Sequence, residues 1–562
     1  MQKTCANGWC KTPFEVTDED LAFYDKVSPL FGGKKYLISP PTLCPDCRQQ
    51  RRISFRNERY LYARTCNATK KPIIAMYSAD AAFPVYQSTF WWSDNWNPHD
   101  YGQEWEESQP FFKQFKQLMH NVPRLGNVVS SSENCDFNNF CAGSKNCYMS
   151  QRLGESEDVF YSYLSIESRS ITDCYNTVEC ELCYDVIDAK GCYNVVSSQN
   201  VVGCADSLAL FNCRDCRECI LCENLRGAEY FIRNVRYSKE EYERLRDELV
   251  SSDYRKRCAV LQESIERRSQ CLVPSIWSTA TENVSGNYLV ECKNARHSYD
   301  CSHCEDVTFA YGQIYGTDCM DSTFGFRCDE CYEFAAGVRS KDLRFCFNIL
   351  EQSHALTYCI DCTTGSHDLF GCISMKHAKY CILNKQYTKE EYDQLVPKII
   401  EKMKTDGEWG EFFPVTMSPF KYHETVAQEY FPLTREQAID RGFVWSDYEA
   451  PPPEAKRVIK AKDVPDALGE IPDDILNWAI VCEATGRPFK IIKQELDFYR
   501  KMNLPIPRLY PDERHRRRMA LRNPRKLWNR ECSTCQKPIE TSYAPDRPET
   551  VVCEECYLRE VY

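Results

Sequence analysis

The middle of the chain repeats small residues at a fixed interval, and that interval limits the folds open to it. Cys292, Cys301, Ala310, Cys319, Cys328, Gly337 and Cys346 stand nine apart. Cys147, Ser156, Ser165, Cys174, Cys183, Cys192 and Val201 form a second such series, and Cys204, Cys213 and Cys222 a third. Small side chains recurring without helix-bounding prolines predict a parallel β-solenoid, the small groups stacking inside successive coils. Two nine-residue arms per coil fit the spacing. Tyr148, Tyr175, Tyr184 and Tyr193 each follow a cysteine of the second series. Neighbouring strand residues point to opposite faces, so these tyrosines are expected to form a ladder on the other side.

The region is also doubled at an offset of 150. Cys222, Tyr230, Asn234, Tyr237, Ser238, Glu241, Tyr242 and Leu245 return as Cys372, Tyr380, Asn384, Tyr387, Thr388, Glu391, Tyr392 and Leu395. Ser238 with Glu241, and Thr388 with Glu391, have capping-box spacing and predict helices running towards Arg268 and to about Lys404. Such helices would close each solenoid and cover a strand edge otherwise open to aggregation.

The two ends repeat one another as well. Pro41, Leu43, Pro45, Asp46 and Arg48, followed by Arg51, Arg52, Arg56, Asn57 and Arg59, return 466 positions later as Pro507, Leu509, Pro511, Asp512 and Arg514, followed by Arg517, Arg518, Arg522, Asn523 and Arg525. The copies retain different metal ligands. Upstream, Cys5, Cys10, Cys44 and Cys47 are complete, while the second copy holds only Cys482, with Thr485, Tyr510 and Glu513 in the other places. Downstream, Cys532, Cys535, Cys553 and Cys556 are complete, while the first copy keeps Cys66 beside Thr69, Gln87 and Phe90. Paired cysteines on tight turns supply a tetrahedral zinc site, and four thiolates leave no open position for water. About two structural zinc ions are therefore expected, one in each module.

Thirty-five cysteines among 562 residues point to a reducing compartment, where they serve as ligands or small hydrophobes rather than staples. The start, MQKTCANGWC, lacks a basic-then-apolar signal, and no apolar run approaches membrane-spanning length. A cytoplasmic protein without membrane contact is expected. Cys213, Cys216, Cys219 and Cys222, three apart, could hold a metal or simply line the coils; an iron–sulfur motif would carry a longer last gap followed by Pro, and here Glu223 follows. Metal at pairs such as Cys301–Cys304, Cys328–Cys331 or Cys359–Cys362 has less support.

Arg48, Arg51, Arg52, Arg56 and Arg59, and their counterparts Arg514, Arg517, Arg518, Arg522 and Arg525, make each module basic. The two stretches sum to about +5 and +7, leaving about −24 elsewhere in a chain of formal net charge −12. With Phe55, Tyr60, Tyr62, Tyr510 and Trp528 interleaved, they suit phosphates and stacked bases. The acidic remainder equally offers the arginines an intramolecular partner. Trp91, Trp92, Trp96 and Trp105 could stack bases or sugars, but beside Phe111, Phe112, Phe115 and Leu118 they read as packed core. Thr434 with Gln437 opens another helix, and Pro451, Pro452 and Pro453 begin a linker.

The combination of CPDCRQQRR, RNERYLYAR, YQSTFWWSDNW, YSKEEY and YTKEEY, EWGEFFP and ELDFYRKMNLPIPR resembles a zinc-ribbon, cysteine-rich repeat protein family of candidate-phylum (Patescibacteria-type) bacteria. The resemblance covers nearly the entire chain and carries over no activity or catalytic residue. The expected fold is mixed and β-rich: a central parallel β-solenoid in two copies with helical terminators, flanked by duplicated zinc-ribbon modules. Its segments are 1–128, 129–272, 273–406, 407–470 and 471–562. The leading functional reading is a non-catalytic zinc-stabilised scaffold binding RNA, DNA or a ribonucleoprotein through the arginines. The alternatives are a scaffold for protein partners with structural zinc and the arginines docked internally, and a β-helical polysaccharide enzyme, for which no carboxylate or histidine cluster is assignable.

Overall fold

From Cys141 to Cys222 every third residue is buried, and each is Cys, Ser, Thr, Ala, Val, Ile or Leu. The residue before each of them is left-handed, with φ between 47° and 63°. A non-glycine residue in that region costs roughly 1–2 kcal/mol, and here backbone pairing offsets the cost. The left-handed N–H donates to a carbonyl on the preceding coil, as Asp158 does to Lys145 (3.0 Å), Asp173 to Phe160 (3.0 Å) and Asp185 to Thr172 (3.1 Å). Ser and Cys suit the inward positions because they are small and still satisfy buried backbone. Ser156 Oγ, for example, lies 2.9 Å from the Gly154 carbonyl and accepts from the Ser168 N–H at 3.1 Å.

The structure, a computed structural model, describes residues 1–327, 332–333, 335–338, 341–349, 353–448 and 451–561. The fold is mixed and β-rich, with many parallel strand pairs. Four-residue strands Gln151–Gly154, Tyr163–Ile166, Tyr175–Val178 and Ile187–Lys190 pair in parallel, Gln151 opposite Tyr163, Tyr163 opposite Tyr175 and Tyr175 opposite Ile187. Each coil therefore advances twelve residues, as four triplets, and the expected pair of nine-residue arms does not occur. Nine is a multiple of the underlying triplet. A series of spacing nine visits inward positions three triplets apart and returns to the same column only at every fourth member, as Cys147 does at Cys183.

The tyrosine ladder is corrected for the same reason. Tyr148 and Tyr184 share a column through Phe160 and Thr172. Tyr175 pairs instead with Tyr163 and Ile187, and Tyr193 with Ala205. The stacked tyrosines are Tyr163 on Tyr175 (5.2 Å between centroids) and Tyr299 on Tyr311 (5.8 Å).

A second stack begins at the strand Ser278–Thr279, which pairs in parallel with Gly286–Val290, Ser278 opposite Leu289. From Gly286–Val290 onward it keeps the twelve-residue step until Ala335 pairs with Phe347, takes thirteen from Lys341 to His354 and from His354 to His367, and returns to twelve from His367 to Lys379. These longer coils explain the duplication's offset. Upstream of them equivalent residues, such as Tyr184 and Tyr332, are 148 apart; downstream they are 150 apart.

Both stacks end alike. Glu229–Ile232 and Lys379–Ile382 each pair antiparallel with a short return strand. Capped helices follow, Lys239–Leu249 from the Ser238–Glu241 box and Lys389–Asp406 from the Thr388–Glu391 box. Tyr242 and Tyr392 on these helices are buried against Tyr230 and Tyr380. The second helix stops at left-handed Gly407. The first does not continue unbroken to Arg268: it ends at Leu249, and a separate helix, Tyr254–Arg268, starts from the Asp253 cap. The Thr434–Gln437 box also forms, capping Arg435–Asp440.

The end modules dock crosswise. The N-terminal module shares an apolar core with the second stack and the helix Phe111–Asn121, including Tyr24, Phe55, Phe111, Phe345 and Tyr358. The C-terminal module shares another with the first stack, including Leu208, Ile220, Tyr242, Leu496 and Tyr499. Equivalent rings make equivalent contacts: Tyr24 meets Tyr332 edge-on at 5.2 Å, and Tyr499 meets Tyr184 edge-on at 5.8 Å. Thr550–Val552 also adds in parallel to Leu272–Pro274, between the stacks. The core reading of the tryptophan cluster holds for Trp91 alone, which is fully buried with the Lys376 ammonium 4.5 Å from its ring; Trp96 and Trp105 are half-buried and Trp92 is 40% exposed. Among the described residues no helix is long and apolar enough to cross a membrane.

Candidate functional site

Among the described residues two groups of four cysteines converge, and they are the two complete sets read from the sequence. In the first, Cys5 and Cys10 flank the turn between strands Gln2–Thr4 and Pro13–Glu15, Cys44 caps the helix Pro45–Ile53, and Cys47 lies in its first turn. In the second, Cys532 and Cys535 occupy the turn between Trp528–Glu531 and Pro538–Thr541, while Cys553 and Cys556 lie at the start of Glu554–Val561. Within each group all Sγ atoms lie within 4.8 Å of one another. Cys10 to Cys44 and Cys535 to Cys553 are both 3.7 Å. Tetrahedral coordination at metal–sulfur distances of about 2.3 Å needs sulfur separations of about 3.8 Å, so the residues fit an ion. Hydrogen bonding from Cys47 draws the Cys44 thiol down to about 5. Burial pushes Cys532 up, but backbone N–H groups of Cys535, Cys553 and Thr534 outweigh it and bring the thiol to about 6. Every described cysteine is a free thiol.

The degenerate twins keep the turn geometry without the ligands. Cys66 and Cys532 each receive a backbone N–H on sulfur at 3.3 Å, from Gln87 and Cys553. Each also donates its own N–H at 2.9 Å, to Lys71 and Lys537. The left-handed Lys70 and Gln536 close the same turn. Cys482 donates to Arg487 at 3.0 Å as Cys5 does to Thr12 at 2.9 Å. Strand pairing therefore holds these turns even where ligands are missing.

Cys213, Cys216, Cys219 and Cys222 are buried inside the first stack as successive inward residues. Their thiols face carbonyls, Cys213 Sγ lying 3.5 Å from those of Phe211 and Cys222. They do not form a converging group. Cys301, Cys304, Cys359 and Cys362 are likewise inward and buried; Cys328 and Cys331 lie outside the described residues.

The arginines turn inward. Arg48 and Arg52, one turn apart on Pro45–Ile53, both hold Asp321, at 2.8 and 3.1 Å. Arg514 and Arg518, at the same places on Pro511–Met519, both hold Asp173, Arg518 at 2.9 Å. Their rings correspond too, with Phe309 beside Arg48 and Tyr161 beside Arg514. Arg56 bonds Glu58 and lies over Phe140 of the first stack and Phe324 of the second. Its counterpart Arg522 reaches Asp188 at 2.9 Å and Asp300 at 2.7 Å, again joining the two stacks. Arg59 crosses to Asp512 in the other module at 2.8 Å, and Arg525 reaches Asp300 at 2.9 Å. Burial pushes the Asp300 carboxyl up, but Arg522 and Arg525 hold it below the ordinary range.

Arg51 and Arg517 differ in burial as well as in partner. Arg51 is buried on Glu333 (2.6 Å) and Glu411 (2.8 Å), whereas Arg517 is 54% exposed and pairs with Glu513 on its own helix. The shared asparagine is structural: Asn57 Nδ2 donates to the Met76 carbonyl at 2.8 Å, and Asn523 Nδ2 to Ser542 Oγ at 2.9 Å, at the same place in each module.

Sequence reading missed the acidic partners, Asp173, Asp185, Asp188, Asp300, Asp321 and Glu333. All six occupy left-handed positions of the triplet. Asp173–Asp321 and Asp185–Glu333 are equivalent pairs 148 apart, a signal hidden behind the longer downstream offset. No family model matches the chain, and no curated protein or solved structure matches it.

Proposed function

We propose that this chain is a non-catalytic scaffold: two parallel β-solenoids locked together by two zinc-ribbon modules, presenting its outer surface to protein partners. The observation that carries this reading is the equivalent clamping of Asp321 by Arg48 and Arg52 and of Asp173 by Arg514 and Arg518. Guanidiniums committed to buried carboxylates on the opposite solenoid are not available to phosphates. The duplicated basic stretch then serves as an internal fastener. Zinc is the ion that four converging thiolates with no open position suit best. Its role here is to hold each module's ligand-bearing turns, which in the N-terminal module include the start of the arginine helix Pro45–Ile53.

Nucleic-acid binding through the same arginines is the competing reading, and it requires the modules to undock. Fluorescence anisotropy with single-stranded RNA and DNA at low salt distinguishes the two. The scaffold reading expects no saturable binding up to about 10 μM. Tight binding whose logarithm falls with log salt by about 0.7 per phosphate contacted, and which is lost in Arg48→Ala, would overturn it.

A further inference from the structure

The first stack, the helices Lys239–Leu249 and Tyr254–Arg268, and the segment following Lys493–Lys501 line a cavity of about 270 Å³ that opens to solvent. Arg257 lines it and is 5% exposed. Its guanidinium donates to Ser197 Oγ at 2.8 Å, and that hydroxyl donates to Asp185 at 3.0 Å; Arg257 Nε has no partner. Arg48, Arg52, Arg124, Arg514, Arg518 and Arg522, all buried as deeply, close directly on carboxylates. Arg257 forms no such ion pair with any described residue. A buried guanidinium that lines a cavity with no carboxylate paired to it is a site for an anionic group.

The rest of the lining restricts that anion. Val196, Leu208, Ile220 and Leu504 make an apolar surface, while Asp206 and Glu218 stand on coils one step apart. Asn194 donates to Asp206 at 2.9 Å, and Arg246 is 4.0 Å from Glu218. A simple anion would meet these carboxylates unfavourably. A molecule carrying both charges would not, and the volume admits only a small one.

We propose that this cavity binds a free α-amino acid with an apolar side chain. Its carboxylate meets Arg257, its ammonium faces Asp206 and Glu218, and its side chain lies on Val196, Leu208 and Ile220. The scaffold thus carries a small-molecule site where a solenoid, its terminal helices and the C-terminal module meet.

Calorimetric titration of the full chain with L-leucine tests this, with 4-methylpentanoate, which lacks the ammonium, and 3-methylbutylamine, which lacks the carboxylate, as comparators. Leucine is expected to saturate with a Kd below about 1 mM, and each comparator to bind at least about tenfold more weakly. Arg257→Gln should lose leucine binding at least about tenfold. Asp206→Asn should weaken leucine yet leave 4-methylpentanoate unchanged, and it serves alone if the first variant does not fold. No saturable heat from leucine, isoleucine, valine or methionine at about 10 mM, equal affinity for 4-methylpentanoate, or undiminished leucine binding by these variants would overturn the proposal.

Discussion

Asp173 and Asp321 occupy the same place in the two stacks, and each is gripped by two guanidiniums one helical turn apart. Positions four apart on a helix face the same way, so one helix with arginines at that spacing closes on one carboxylate. Both carboxylates are essentially buried. Removing one partner from such a pair typically costs about 3–5 kcal/mol, because the other charge is left uncompensated.

The accessibility of the guanidiniums follows directly. Treatment of native protein with phenylglyoxal and peptide mass spectrometry should find Arg48, Arg52, Arg514, Arg518 and Arg522 protected. Arg516 and Arg517, whose side chains are 69% and 54% exposed, should react. Comparable labelling of both sets would mean that the modules do not stay docked.

Metal content should divide by site. The wild type is expected to carry about two zinc ions, and Cys10→Ser or Cys535→Ser about one each. Cys66→Ser and Cys482→Ser should change nothing, because each stands alone in a turn without its three partner ligands. Elemental analysis of the purified variants checks this, and metal loss from a Cys66 variant would refute the assignment. Chelation of the wild type should also lower its Tm, since binding energy at a structural site is folding energy.

Much of this was readable in advance at the metal groups and little at the clamps, for a physical reason. Cys532, Cys535, Cys553 and Cys556 lie on two local turns, so their spacing alone brings two pairs together. Arg48 and Asp321 meet only because the coil register and the module docking are both in place. The register was misread because inward residues recur every third position, so Cys147, Ser156 and Ser165 kept a nine-residue beat that never marks one coil. The capping boxes at Ser238 and Thr388 were legible because they are complete within four residues.

Glu424 gives the fold a definite pH dependence. The residue is 4% exposed, and burial pushes its carboxyl up to about 7. A carboxyl raised on folding keeps its proton in the native state after the unfolded chain has lost it. Its effect is therefore absent below the unfolded pKa and grows as destabilisation while pH rises through about 7. Glu424→Gln should stabilise the protein by up to about 3 kcal/mol at pH 8 and by much less at pH 4.5. Thermal unfolding of the variant and wild type at both pH values measures this; an equal gain at both would contradict the assignment.

The crossed docking is the centre of the account, and double-mutant cycles read it most directly. Urea unfolding would be compared for single and double alanine variants of Arg48 with Asp321, Arg514 with Asp173, and the mismatched pair Arg48 with Asp173. Coupling of about 2 kcal/mol or more is expected for each matched pair, and less than about 0.5 kcal/mol for the mismatched one. Coupling between Arg48 and Asp173, or none in the matched pairs, would contradict the account.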